Sequence, residues 1–300
     1  MRKLATLAAV VFSIFHLPAQ ADGVTVPVSP KAQTKKLALQ DLNIEIRVEG
    51  GGWSGANTEE ITALLHAVAA ELVQHFPERQ LAPIVVRHSN RAPVVLYDKG
   101  PNGEYLVYLC AHGKDWYQYV YEFAHELAHI LSNYERHAHS QDARQHQWFE
   151  ETLCEVASLY ALKRVGMKWD NSLPYAHWGM DPEAFRKYAE HFLNEPHRKL
   201  PSEMTLASWF DTNRDRLTGN AYVRQHNEVV ANLLLPLFEE NPEIWEAIDY
   251  LNTAPASQSF EDYLQAWHDS APACYQHVIR YTMHLFGIEL GDKRAQDGKA

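Results

Sequence analysis

Residues 124–132 read AHELAHILS, with a glutamate directly after the first of two histidines spaced four apart. On a helix that interval is one turn, about 6 Å along the axis. Two imidazoles so placed can converge on one tetrahedral ion, with Glu126 beside them as a base. The chain holds seventeen histidines, so the pair carries weight only if a third ligand can be found.

The surrounding pattern predicts a helix over about 115–134. Asp115 is of N-cap type, with Gln118 at the third helical position to return the bond. Trp116, Val120, Phe123, Leu127, Ile130, Leu131 and Tyr134 gather on one stripe, and His125, Glu126 and His129 fall on the opposite side. A solvated side would carry Lys, Glu and Gln instead. A second amphipathic helix is predicted over 148–165, in WFEETLCEVASLYAL, with Leu153, Val156 and Tyr160 on its core stripe. Glu151 and Glu155 lie one turn apart on its other face, with Ser158 close by. An antiparallel return alongside the first helix lets one carboxylate ligate the ion. The other can accept the second N–H of a ligand histidine and fix its tautomer. Glu150 and Glu155 stay open as ligands; helix phase favours Glu151. No Cys-x-x-Cys spacing exists, so a cysteine-rich metal site is excluded. Cys154 reads as a buried thiol, while Cys110 and Cys274 can pair in an oxidising compartment.

Over Tyr119 to Leu162 the chain resembles the gluzincin zinc metallopeptidases, which include the thermolysin-like peptidases and related aminopeptidases. They set His-Glu-x-x-His on one helix and a ligand glutamate on the next, often led in by an aromatic or apolar pair, as Trp148-Phe149 is here. The resemblance implies one Zn2+ per chain held by His125, His129 and Glu151, with Glu126 as general base and Glu155 as the outer carboxylate. Two departures stand out. The gap after His129 is longer, through ERHAHSQDARQHQ, and Glu150 precedes the ligand where Asn is usual. A metzincin would need Gly at 132 and His at 135, where this chain has Ser132 and Glu135. The loop histidines His137, His139 and His146 read as a solvated connector.

Two imidazoles and one carboxylate leave a fourth position for water, whose pKa zinc lowers from 15.7 to about 7. Glu126 can take its proton and later hand it to a leaving amine. For the oxyanion donor, Tyr222 and His226 stand four apart in GNAYVRQHNEVVANLLLPLF. The strand EYLVYLC, just before the zinc helix, is the expected sheet edge for an extended peptide; the alternative is an ordinary interior strand. No Gly-x-Met-Glu-Asn stretch is present, which leans towards endopeptidase action. The expected activity is a zinc-dependent peptidase acting on peptide or protein. The alternatives are a non-catalytic zinc or protein-binding module on the same scaffold, and a zinc amidase acting on cell-wall peptides.

The elements that must position these groups divide the chain. Residues 1–21 have a basic start, an apolar run too short to span a bilayer, and Ala19-Gln20-Ala21, the layout of a secretory signal peptide. The mature chain is thus expected in the periplasm or outside the cell, cleaved near Ala21. A flexible leader follows (22–36), then an α/β subdomain (37–114), a helical catalytic subdomain (115–290) and a mobile tail (291–300). Further helices are expected at 181–193, 219–239, 242–251, 258–269 and 274–287. The fold class is α+β: a small, mostly antiparallel N-terminal sheet with one helix, then a zinc-bearing helical lobe. Gly50-Gly51-Gly52 reads as a turn. The formal charge of −11 becomes −13 once Arg2 and Lys3 leave with the signal. Such an acidic chain repels phosphate backbones, so no nucleic acid partner is expected, and no later segment suits stable membrane insertion.

Overall fold

The first strand is followed by a glycine-dependent reversal. Gly52 has φ +99°, and a Cβ there would stand 2.6 Å from the His88 ring, so only glycine fits. Asn57 then caps helix α1 (Thr58–Val73) by accepting from the Glu59 amide. The computed structural model describes residues 44–137, 145–168, 181–253 and 259–290; the expected signal peptide, the leader, most of the histidine loop and the tail lie outside these.

Strands β1 (Ile46–Glu49), β2 (Ile84–His88), β3 (Val94–Val95) and β4 (Tyr105–Leu109) form one sheet in the order β1-β2-β4-β3. The class is α+β, but the sheet is mixed. β1 pairs parallel with β2, and β2 parallel with β4; only β3 with β4 is antiparallel. The expectation of a mostly antiparallel sheet is therefore corrected. Joining β1 to β2 through α1 makes a crossover that returns the chain in the same direction. β3 and β4 form a hairpin in which β4 is interior and β3 is the edge.

The helical part comprises α2 (Trp116–Leu131), α3 (Gln147–Lys168), α4 (Pro182–Leu193), α5 (Leu206–Gly219), α6 (Arg224–Glu240), α7 (Phe260–Ser270) and α8 (Ala273–Leu285). Short 3-10 turns occupy Tyr134–His137, Pro196–Arg198 and Pro242–Tyr250. Helix α5, which apolar periodicity did not reveal, is started by a capping box between Thr205 and Ser208. The predicted α2 stripe is buried throughout, from Trp116 to Tyr134. Asp115, in contrast, makes no side-chain cap, and Gln118 donates to Glu122 instead.

Helix α2 stops because Asn133 is left-handed (φ +61°) and its amide binds the carbonyls of Asp249 and Leu251 at 2.6 and 3.2 Å. The Arg79 guanidinium donates to the carbonyls of Ile130 and Leu131 at 2.6 and 2.5 Å. It thereby satisfies acceptors that a helix end leaves open. The start of α3 is fixed from below by aromatic packing: Trp148 lies against Phe260 and Phe210, with ring centroids 4.7 and 5.6 Å apart, and Phe149 against Trp267 at 5.9 Å. Such pairs add about 0.5–1.5 kcal/mol each beyond burial. The two glutamates that follow are thus held rigidly.

Candidate metal centre

Helices α2 and α3 run antiparallel: His129 meets Glu150, His125 meets Glu151, and Tyr121 meets Glu155 and Ser158. The sequence expectation that α3 returns alongside α2 is therefore met. His125 Nε2 lies 3.2 Å from one Glu151 oxygen and His129 Nε2 3.6 Å from the other. Bonds of 2.0–2.2 Å to a tetrahedral zinc set neighbouring ligand atoms about 3.3–3.6 Å apart. The 3.6 Å separation lies in that span and the 3.2 Å one falls about 0.1 Å short of it, so small adjustments let His125, His129 and Glu151 hold such an ion. His125, His129 and Cys154 also form a group that could hold a metal, their ligand atoms all within 4.8 Å of one another. The His125 side chain keeps 21% exposure against 10% for His129, so the centre opens to solvent on the His125 side.

The outer carboxylate is not where helix spacing put it. His129 Nδ1 lies 2.6 Å from Glu150, which is fully buried and also accepts from Asn252 at 2.6 Å. Asn252 in turn donates to the Ser132 carbonyl and accepts from the Tyr263 hydroxyl. Glu155 bonds Tyr121 and, at 2.7 Å, Arg198. The assignment of Glu155 as the histidine's partner is therefore corrected: residues 150 and 151, about 100° apart around α3, straddle His129. Partial burial pushes the Glu151 pKa up, yet the adjacent His129 and His125 more than offset that and hold it well below the usual range.

Glu126 is buried, and desolvation raises its pKa above the ordinary carboxylate value despite His125 and His129 nearby. One of its oxygens accepts the Val95 amide at 2.7 Å. That amide is the outward donor of the edge strand, because the next one, Leu96 N–H, turns inward to Leu106 O. The sheet edge beside the base is consequently β3, and the expectation that β4 supplies it gives way to the interior reading.

Tyr222 lies in a turn before α6, its amide bonded to the Asn220 side chain at 3.0 Å, so α6 starts five residues after the predicted position 219. Its side chain is 50% exposed, and its hydroxyl accepts from Gln147 at 3.3 Å. Gln147 precedes Glu151 by one turn of α3, so Tyr222 meets α3 one turn before Glu151. His226 is turned elsewhere: its Nε2 meets Asn213 at 3.0 Å and its ring packs on Trp209. His146, expected on a solvated connector, is 4% exposed, and burial lowers its pKa to about 4.

No protein-family model matches the chain, and no curated protein matches it.

Behind the centre lies an ion network that sequence reading missed. The Arg198 side chain is wholly buried, bonded to Glu155 at 2.7 Å, Glu228 at 2.8 Å and Glu195 at 2.9 Å. Arg224 joins Glu228 at 2.8 Å and the Tyr121 hydroxyl at 2.7 Å. The network ties α2, α3, α6 and the turn at Pro196–Arg198 together on the side of α3 away from β3. A lone Arg in EPHRKL gives no periodic signal, so only the fold exposes its role. All three cysteines are free: Cys154 is buried, Cys110 half-buried and Cys274 exposed.

Proposed function

We propose that the protein is an extracytoplasmic zinc-dependent peptidase of gluzincin type, with His125, His129 and Glu151 as ligands of one ion per chain. The observation that carries this reading is the convergence of both imidazole Nε2 atoms on one carboxylate at tetrahedral spacing, with Glu126 on the same helix face. Glu150 orients His129 through Nδ1, which leaves Nε2 as the ligand atom. Zinc bound there supplies an acidified water and polarises the substrate carbonyl.

The chain's own groups do the rest. Glu126, its pKa raised by burial, takes a proton from the attacking water and returns it to the leaving amine. An extended peptide lying along β3 pairs with its outward backbone groups, and the Val95 amide then faces both base and substrate. Tyr222 donates to the oxyanion. His226 takes no part, being engaged with Asn213 and Trp209. A peptide or protein is the substrate; the acidic surface leaves nucleic acid out. Among the described residues no helix is long and apolar enough to cross a membrane.

One observation favours the non-catalytic alternative, since the Val95 amide already occupies an oxygen of the base. Glu126→Gln separates the readings. The variant retains zinc and loses hydrolysis of a mixed peptide library; hydrolysis that survives the substitution removes Glu126 from the mechanism, and a zinc-loaded wild type inert on all peptides favours the binding module.

A further inference from the structure

The geometry points to Cys154 as a fourth protein ligand of the ion, giving a His125, His129, Glu151, Cys154 sphere in the resting protein. This inference rests on the zinc-centre reading. Cys154 follows Glu151 by three residues on α3 and so shares its face. Its sulfur and one nitrogen from each imidazole lie within 4.8 Å of one another. A tetrahedral ion bonded to nitrogen at about 2.05 Å and to sulfur at about 2.3 Å sets those atoms about 3.6 Å apart. The atoms are thus already gathered to within reach of one ion, and side-chain adjustment on binding sets the final bond lengths.

The surroundings suit this role. The residue is fully buried, so the sulfur reaches the ion from within the protein. Cys110 and Cys274 are likewise free, and Cys154 has no disulfide. A thiolate together with the Glu151 carboxylate neutralises a divalent charge in a largely desolvated place, where an uncompensated ion is costly. On closing, the thiol releases its proton to solvent, a metal–sulfur bond forms and a water leaves; on opening, the water enters and the sulfur regains a proton. The sulfur-bound form is latent and the water-bound form is the working one. No oxidant or reductant is involved.

The test uses the full mature chain loaded with Co2+ alone. One equivalent gives visible bands of a four-coordinate ion together with an intense near-ultraviolet thiolate-to-cobalt band. That second band is lost in Cys154→Ser and kept in Cys110→Ser and Cys274→Ser. Visible bands without the charge-transfer band in wild type overturn the assignment and leave the His125, His129, Glu151 centre standing. Failure to bind cobalt at all overturns the centre and the assignment together. X-ray absorption on the zinc-loaded wild type, which needs no variant, gives a sulfur shell at about 2.3 Å; nitrogen and oxygen alone near 2.0–2.1 Å overturn the assignment.

Discussion

Exchanging Glu150 for glutamine tests the outer carboxylate with the least change of shape. Glu150 is fully buried between His129 Nδ1 and Asn252 Nδ2, each 2.6 Å away. Glutamine retains one oxygen for His129 but loses the charge, and a charge-assisted hydrogen bond is about twice as strong as a neutral one. Its new amide faces Asn252, donor against donor. Asn252 cannot reverse without giving up its bond to Ser132 O and setting its own oxygen against that carbonyl. Loss of an outer partner of this kind weakens metal affinity about 10- to 100-fold, or about 1.4–2.8 kcal/mol. Glu155→Gln serves as the contrast. It leaves zinc affinity within about twofold, but it removes one of the three carboxylates bonded to the buried Arg198 and costs about 1.5–3 kcal/mol of stability. Competition with a chromogenic chelator measures the first quantity and urea unfolding the second. Were Glu155→Gln to cut zinc affinity tenfold while Glu150→Gln left it unchanged, the geometry described for α3 would be refuted.

The acid limb of the activity profile is expected above the ordinary carboxylate value, because burial raises the Glu126 pKa and the base works only when ionised; Val95→Pro deletes the N–H that favours the charged form and moves the limb further up, so a limb that stays put or falls contradicts this. Proline is tolerated there because the lost donor points away from β4. Tyr222→Phe lowers kcat about 100- to 1,000-fold with zinc content unchanged, whereas His226→Gln leaves kcat as it is; the reverse pattern in steady-state kinetics would return the oxyanion role to His226. The Glu155 pKa is raised by burial but pulled down to about 2 by Arg198 and Arg224. A depressed folded-state pKa means that this contribution is complete above about pH 4.5 and is lost as pH falls towards 2. Urea unfolding followed against pH should show that loss in wild type and a flatter profile in Arg198→Met.

How far sequence reached can be judged from particular residues. The meeting of His125 and His129 with Glu151 was legible because a 3.6-residue period places polar and apolar groups on opposite faces, and both helices obey it. The outer carboxylate was misplaced because one-turn spacing identifies a shared face on α3 but not which residue on that face points at a given ring of α2. The 150–129 pairing depends on the height at which the helices cross, set by Trp148 and Phe149 packing from below. The sheet was misjudged because strands of four, five, two and five residues carry almost no direction signal; the crossover through α1 decides it. Helix α6 was begun too early because the Asx turn at Asn220, which excludes Tyr222 from the helix, mimics a helical start. Arg198 reaches Glu155 and Glu228, 43 and 30 residues away, and Asn252 reaches Ser132 and Glu150, 120 and 102 residues away, beyond any local pattern.

Anomalous diffraction at the zinc edge from crystals of the mature chain, grown with one equivalent of zinc, tests the central claim most directly. The account predicts a single strong peak bounded by His125 Nε2, His129 Nε2 and the Glu151 carboxylate, absent from crystals of His129→Ala. A peak elsewhere, or none between α2 and α3, would contradict it.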